Sequence, residues 1–193
     1  MPKSEADRII RSNDLETTYN ITIEVLDRLV GGRDATKQRL EQIDFSAQKF
    51  QLLSLSGLEF IGHHNPEDRL AVQMLAVGNN QLTSLLELVP ANLQGPLFPN
   101  VENIFAPSNY IRNICSSRAL PMQNSWPAKM EQLVELDLSN NLLEIIPDLR
   151  SMPKLRKLRL KNNSIRPPWK RLQGGKQLEN IDLSDNCLDW TEK

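Results

Sequence analysis

Apolar residues recur along this chain in one spacing, L-x-x-L-x-L-x-x-N-x-L, with other apolar residues standing in for Leu. The clearest copies start at Leu133 (LVELDLSNNLL), Leu155 (LRKLRLKNNSI) and Leu178 (LENIDLSDNCL), about 22 residues apart. Two more start at Val72 (VQMLAVGNNQL) and Val101 (VENIFAPSNYI). Self-similarity at this period predicts a solenoid of stacked units rather than a fold with one central core. In the L-x-L portion two apolar side chains point inward and the residue between them points outward, which is the alternation of a short strand. The spacing therefore places strands near residues 43–45, 75–77, 104–106, 136–138, 158–160 and 181–183, side by side in a curved parallel sheet.

After each strand the chain must turn sharply. An Asn at that corner can hydrogen-bond, through its side-chain amide, turn backbone that would otherwise be buried unpaired. Asn80, Asn109, Asn141, Asn163 and Asn186 all occupy the slot, and their reading is structural rather than ligand-binding. The first repeat admits two frames. Leu40-x-x-Ile43-x-Phe45 puts Gln48 in the corner slot, and Phe50-x-x-Leu53-x-Leu55 puts Leu58 there; the Leu40 frame is preferred. It makes the first three repeats long, about 29 to 32 residues, and the later ones about 22 to 23. Segments 54–62, 89–100 and 115–130 are then excursions on the convex side, the last two read as loops from Pro90, Pro96, Pro99, Pro121 and Pro127.

An open solenoid exposes core and strand edge at its ends. Asn13 with Glu16 forms a capping box, and Leu15, Tyr19, Leu26, Leu29 and Val30 follow helical spacing up to Gly31 and Gly32. Asp34 starts a second short helix. The expected organisation is a helical N-terminal cap over residues 1–39 and repeats over 40–193. No matching solution is visible after Trp190, so the chain is read as the front part of a longer protein or as one whose last repeat a partner covers.

Composition narrows the class. A net charge of −1 over 193 residues and no apolar run of membrane-spanning length fit one small domain. The start, MPKSEADRIIRSND, has no apolar core of a signal peptide. The only cysteines, Cys115 and Cys187, fall in repeats too far apart for a disulfide. An intracellular protein, cytoplasmic or nuclear, is expected, and the sequons at Asn20 and Asn162 are read as accidental.

These motifs resemble those of the leucine-rich repeat family over most of the chain. The run Leu133, Leu136, Leu138, Asn141, Leu143, Ile146, Leu149, Met152 is similar to the intracellular short-repeat subclass found in the protein phosphatase-1 regulator and the U2 small nuclear ribonucleoprotein A-prime subunit; repeats two and three depart from it by their insertions. The resemblance implies an α/β leucine-rich repeat solenoid of about six repeats that binds another macromolecule, with no cofactor.

On such a scaffold the outward strand positions are free to carry function. The central column reads Asp44, Ala76, Phe105, Asp137, Arg159, Asp182, with Met74, Asn79, Asn103, Glu135, Arg156, Lys157, Lys161, Glu179 and Asp185 beside it. Exposed Met74 and Phe105 suit the centre of an interface, and Arg is enriched at binding hot spots. The candidate partner-binding set is Met74, Phe105, Glu135, Asp137, Arg156, Lys157, Arg159, Lys161 and Asp182. The bland alternative is that Asp137, Arg159 and Asp182 pair with one another across adjacent strands. From Leu149 to Leu178 there is no Asp or Glu, while Arg150, Lys154, Arg156, Lys157, Arg159, Lys161, Arg166, Lys170, Arg171 and Lys176 are basic. Such a belt over 150–176 reads as a solvated repeat, as a contact for an acidic protein, or as a contact for RNA backbone; aromatic interleaving is confined to Trp169, which disfavours RNA. Catalysis finds no support. His63 and His64 are adjacent and would point to opposite sides of an extended segment, and Gly174-Gly175-Lys176 lacks the first Gly and the Ser/Thr of a phosphate loop, so it reads as a convex turn. No metal site is expected. A protein-interaction scaffold and an RNA-contacting module of a ribonucleoprotein or export particle remain the two readings.

Overall fold

The computed structural model describes residues 42–46, 52, 54–55, 58, 67–90, 93, 95–114, 129–167 and 169–187. The helical cap expected over 1–39, the corner residue Gln48 and most of the 115–130 insertion lie outside them.

Strands β1 (Gln42–Asp44), β2 (Met74–Ala76), β3 (Asn103–Phe105), β4 (Glu135–Asp137), β5 (Lys157–Arg159) and β6 (Asn180–Asp182) form one parallel sheet whose order follows the chain. The strand-centre residues Ile43, Leu75, Ile104, Leu136, Leu158 and Ile181 stand in one row, and the first five are buried in the core. The pairing ladder starts one residue before the windows read from the sequence. The reason is visible at the second inward residue of each unit. Val77, Ala106, Leu138 and Leu160 still donate their N–H to the next strand, but their carbonyls are taken by corner asparagines, which ends the ladder there.

β1 follows the Leu40 frame, with Ile43 and Phe45 buried. Leu52, Leu55 and Leu58 then take the places that Leu82, Leu85 and Leu88 take in the second repeat: Leu52 and Leu82 each donate to the Asn of the following corner, and Leu58 and Leu88 each donate three residues back. Six residues separate Phe45 from Leu52 where four separate Val77 from Leu82. Hence Leu58 holds the place of Leu88 and is not a corner; Phe50 and Leu53 lie outside the described residues.

The convex side carries a short helix, α1 (Glu67–Ala71), and 3₁₀ turns at Leu86–Leu88, Leu149–Ser151 and Trp169–Gly174. The 89–100 insertion is anchored rather than free: Leu97 donates its N–H to Leu88 at 2.7 Å, and Leu97 and Phe98 are buried. Gly174 and Gly175 fill a packing role. A Cβ on Gly174 would lie 2.8 Å from the backbone N of Arg150, and one on Gly175 would lie 2.6 Å from Leu149 Cδ1, so only glycine lets the last convex turn rest against the one before it.

Candidate functional site

Parallel strands set about 4.8 Å apart carry the first and third residue of each strand on the outward face. Met74 opens β2, Phe105 closes β3, Glu135 and Asp137 flank the centre of β4, Lys157 and Arg159 flank that of β5, and Asp182 closes β6. Arg156 immediately precedes β5, and Lys161 follows it toward the corner. Register sets Met74 beside Asn103, Ala76 beside Phe105, Phe105 beside Asp137, and Asp137 beside Arg159. The half-buried Met74, Ala76 and Phe105 make an apolar centre on β2 and β3, and charge takes over from β4 onward.

Glu135 is the hub of the charged half. Its side chain is 13% exposed, it accepts a hydrogen bond from Arg159 Nη1, and its other oxygen lies 3.6 Å from Lys157 Nζ. Arg159 Nη1 also lies 3.9 Å from Asp137 Oδ2. The ladder pairing of Asp137 with Arg159 is therefore present, with Glu135 as the nearer partner, while Arg159 and Asp182 form no ion pair. Arg156 pairs with Glu179 at 3.7 Å and Lys161 with Asp185 at 3.5 Å. The structure thus gathers Glu135, Asp137, Lys157 and Arg159 into one network; Met74 stands apart from it on β2.

The aspartates of the central column have local work as well. Asp44, Asp137 and Asp182 each accept the backbone N–H of the serine two residues on, at 2.8, 2.9 and 2.9 Å. Ser46 and Ser184 add hydroxyl bonds to Asp44 and Asp182. Each side chain closes the turn that leaves its strand. These bonds from Ser184, its hydroxyl first, together with the weaker pull of Lys161 and Arg159, hold the Asp182 carboxyl below the usual carboxylate range. The signal for this role was available in the sequence as a recurring Asp-x-Ser across the strand end.

The basic belt breaks up in three dimensions. Arg150 sits on the convex side, bound to Asp148 through Nε at 2.9 Å, which raises its already high pKa further. Lys154 donates to Gln132 at 2.6 Å, and Arg156, Lys157, Arg159 and Lys161 are ion-paired with carboxylates of the flanking repeats. The side chains of Lys170 and Arg171 lie outside the described residues. Among the described residues no group of His, Cys, Asp and Glu could hold a metal ion, and no helix is long and apolar enough to cross a membrane.

Residues 113–165 match the family model described as leucine rich repeat. No curated protein sequence matches the chain significantly. Among solved structures, an internalin (inlF) from Listeria monocytogenes is similar, with a TM-score of 0.52 and 19% identity over 72% of this chain and 34% of that one. The chain spans about a third of that protein's length, and at this identity the likeness is one of fold. The leucine rich repeat match is thus confined to residues 113–165, and the parallel sheet with its corner asparagines carries the same unit through the other described repeats.

Proposed function

We propose that this domain is a non-catalytic scaffold that docks a partner protein on its concave strand face, in keeping with the protein-binding role general among leucine-rich repeats. The observation that carries the proposal is the preorganised face itself. An apolar centre at Met74, Ala76 and Phe105 adjoins a network in which Glu135 holds Lys157 and Arg159 in place. Fixed charges beside a half-exposed aromatic reduce the ordering cost of binding and favour a partner of matching shape and charge. The contacts would come from Met74, Phe105, Glu135, Asp137, Arg156, Lys157, Arg159, Lys161 and Asp182. An intracellular setting and kinship with the short-repeat subclass belong to this same reading.

RNA contact through residues 150–176 is the alternative, and the ion pairing weakens it. Phosphate binding needs cations able to leave their counterions, and at least four of the belt's cations already face carboxylates. Affinity purification with mass spectrometry and RNA detection separates the two. The comparison is wild type against the variant carrying Phe105→Ala, Arg156→Glu and Arg159→Glu. Specific proteins lost from the variant, retained at raised salt in the wild type and unaccompanied by RNA, support docking. RNA bound by the wild type and lost at raised salt would replace the proposal with the RNA reading.

A further inference from the structure

The face that follows the corner asparagines differs from the strand face in one respect: two of its charges, Arg112 and Glu144, form no ion pair among the described residues. Among the described residues three large hydrophobic side chains are exposed, and two of them, Tyr110 at 54% and Leu142 at 37%, share this face. They hold the same slot, directly after Asn109 and Asn141, in neighbouring repeats. The slots on either side are filled by Gln81 and Ser164, so the apolar pair is confined to repeats three and four. Two residues further along in their repeats, Arg112 and Glu144 are both exposed. Backbone hydrogen bonds fix this arrangement: Tyr110 donates to Leu82 at 2.9 Å, Leu142 to Ile111 at 3.0 Å, and Arg112 to Thr83 at 3.4 Å. Yet neither Arg112 nor Glu144 forms an ion pair among the described residues, whereas Arg156, Lys157, Arg159 and Lys161 of the strand-face set all do.

We propose that this patch binds a second copy of the chain in a two-fold dimer. The patch is complementary to itself. Place a two-fold axis in the plane of the face, between the third and fourth repeats and parallel to the chain there. Rotation about it sets Tyr110 against the partner's Leu142 and Arg112 against the partner's Glu144, and each contact occurs twice. The solenoid axes then run antiparallel, apolar surface is covered at the centre, and both charges acquire opposite charges. Any other register that keeps the apolar pair together sets like charges or an unpaired charge opposite one another, which selects against it. The patch is small, so the association is weak and concentration-dependent, at the low end of specific interfaces. It leaves the concave face open and does not depend on what docks there.

Sedimentation equilibrium of the full chain, at roughly 10 µM to 1 mM and low salt, tests the proposal. The wild type is expected to self-associate to dimers. Arg112→Glu and Glu144→Arg should each raise the dissociation constant by about tenfold or more, because each sets two like pairs face to face. The double reversal Arg112→Glu with Glu144→Arg should return it to near the wild-type value, and Phe105→Ala on the strand face should leave it unchanged. Circular dichroism melts confirm that each variant is folded. A wild type that stays monomeric throughout, single reversals without effect, a folded double reversal that fails to recover, or loss of the dimer in Phe105→Ala would each overturn it.

Discussion

Asn141 serves two repeats at once. Its Oδ1 accepts the N–H of Ile111 at 2.9 Å, and its Nδ2 donates to Ala106, Leu138 and Ser139. Asn109, Asn163 and Asn186 repeat the pattern, so the corner amides form a continuous spine joining each repeat to the one before. Truncation strands a buried N–H and weakens several carbonyls, each orphaned group costing about 1–3 kcal/mol. Asn141→Ala should therefore lower unfolding free energy by about 3 kcal/mol in urea titrations, and Asn186→Ala, whose amide is only partly buried, by less. A second consequence at this scale concerns pH. Because the folded state lowers the Asp182 pKa, the ionised carboxylate favours folding above the ordinary carboxylate range, and that contribution disappears as pH falls through the depressed value. Ser184→Ala removes the hydroxyl bond and should move the Asp182 midpoint upward, which carboxylate NMR titration measures directly; an unchanged midpoint would remove the assigned cause. The five corner asparagines were legible from their spacing alone. Their bonds into the preceding repeat were not, because the linear pattern gives no distance between turns.

At the scale of elements, the convex turns are set by close approach. Gly174→Ala would push a methyl group into the backbone of Arg150, which cannot rotate away, so overpacking should cost about 1–3 kcal/mol. Gly95 offers a control in the same type of segment. A Cβ there meets nothing within 4 Å, and Gly95→Ala should be neutral or stabilise by less than about 1 kcal/mol through the unfolded chain. Thermal melts of the two variants side by side check the contrast. The sequence marks Gly174-Gly175 as a turn, but that these residues lean on Leu149 and Arg150 follows only from the stacking of one repeat on the next. The strand elements show the reverse balance. Leu136 and Leu158 could be assigned to the interior from alternation alone, whereas the places of Leu55 and Leu58 could not, because Phe50-x-x-Leu53-x-Leu55 imitates the strand spacing in sequence.

For the molecule as a whole, every strand pairs only with its neighbours in sequence, so stability is close to a sum of repeat and interface contributions. Leu136 is fully buried between two strands, while Leu178, Ile181 and Leu183 of the sixth repeat are only partly buried. Leu136→Ala should cost about 2–5 kcal/mol, Ile181→Ala distinctly less. Native-state hydrogen exchange should find the amides of β3 to β5 slowest and those of β6 faster. Equal protection across all six strands would argue for a cooperative unit larger than nearest-neighbour coupling.

The sequence by itself determined the repeat, the inward row of apolar residues, the corner asparagines and the columns that face outward. These depend on the two-residue period of a strand and on spacing within one turn, both local properties of the chain. Which charges are spoken for was decided only in three dimensions. The basic run after Leu149 looks like a belt in sequence because its countercharges, Glu135, Glu179 and Asp185, lie a repeat away on either side. Stacking brings them within an ion pair's reach, and among the described residues the same stacking leaves Arg112 and Glu144, near Tyr110 and Leu142, without an ion pair. A one-dimensional pattern records what each repeat contains, and contact between repeats fixes what remains available to bind.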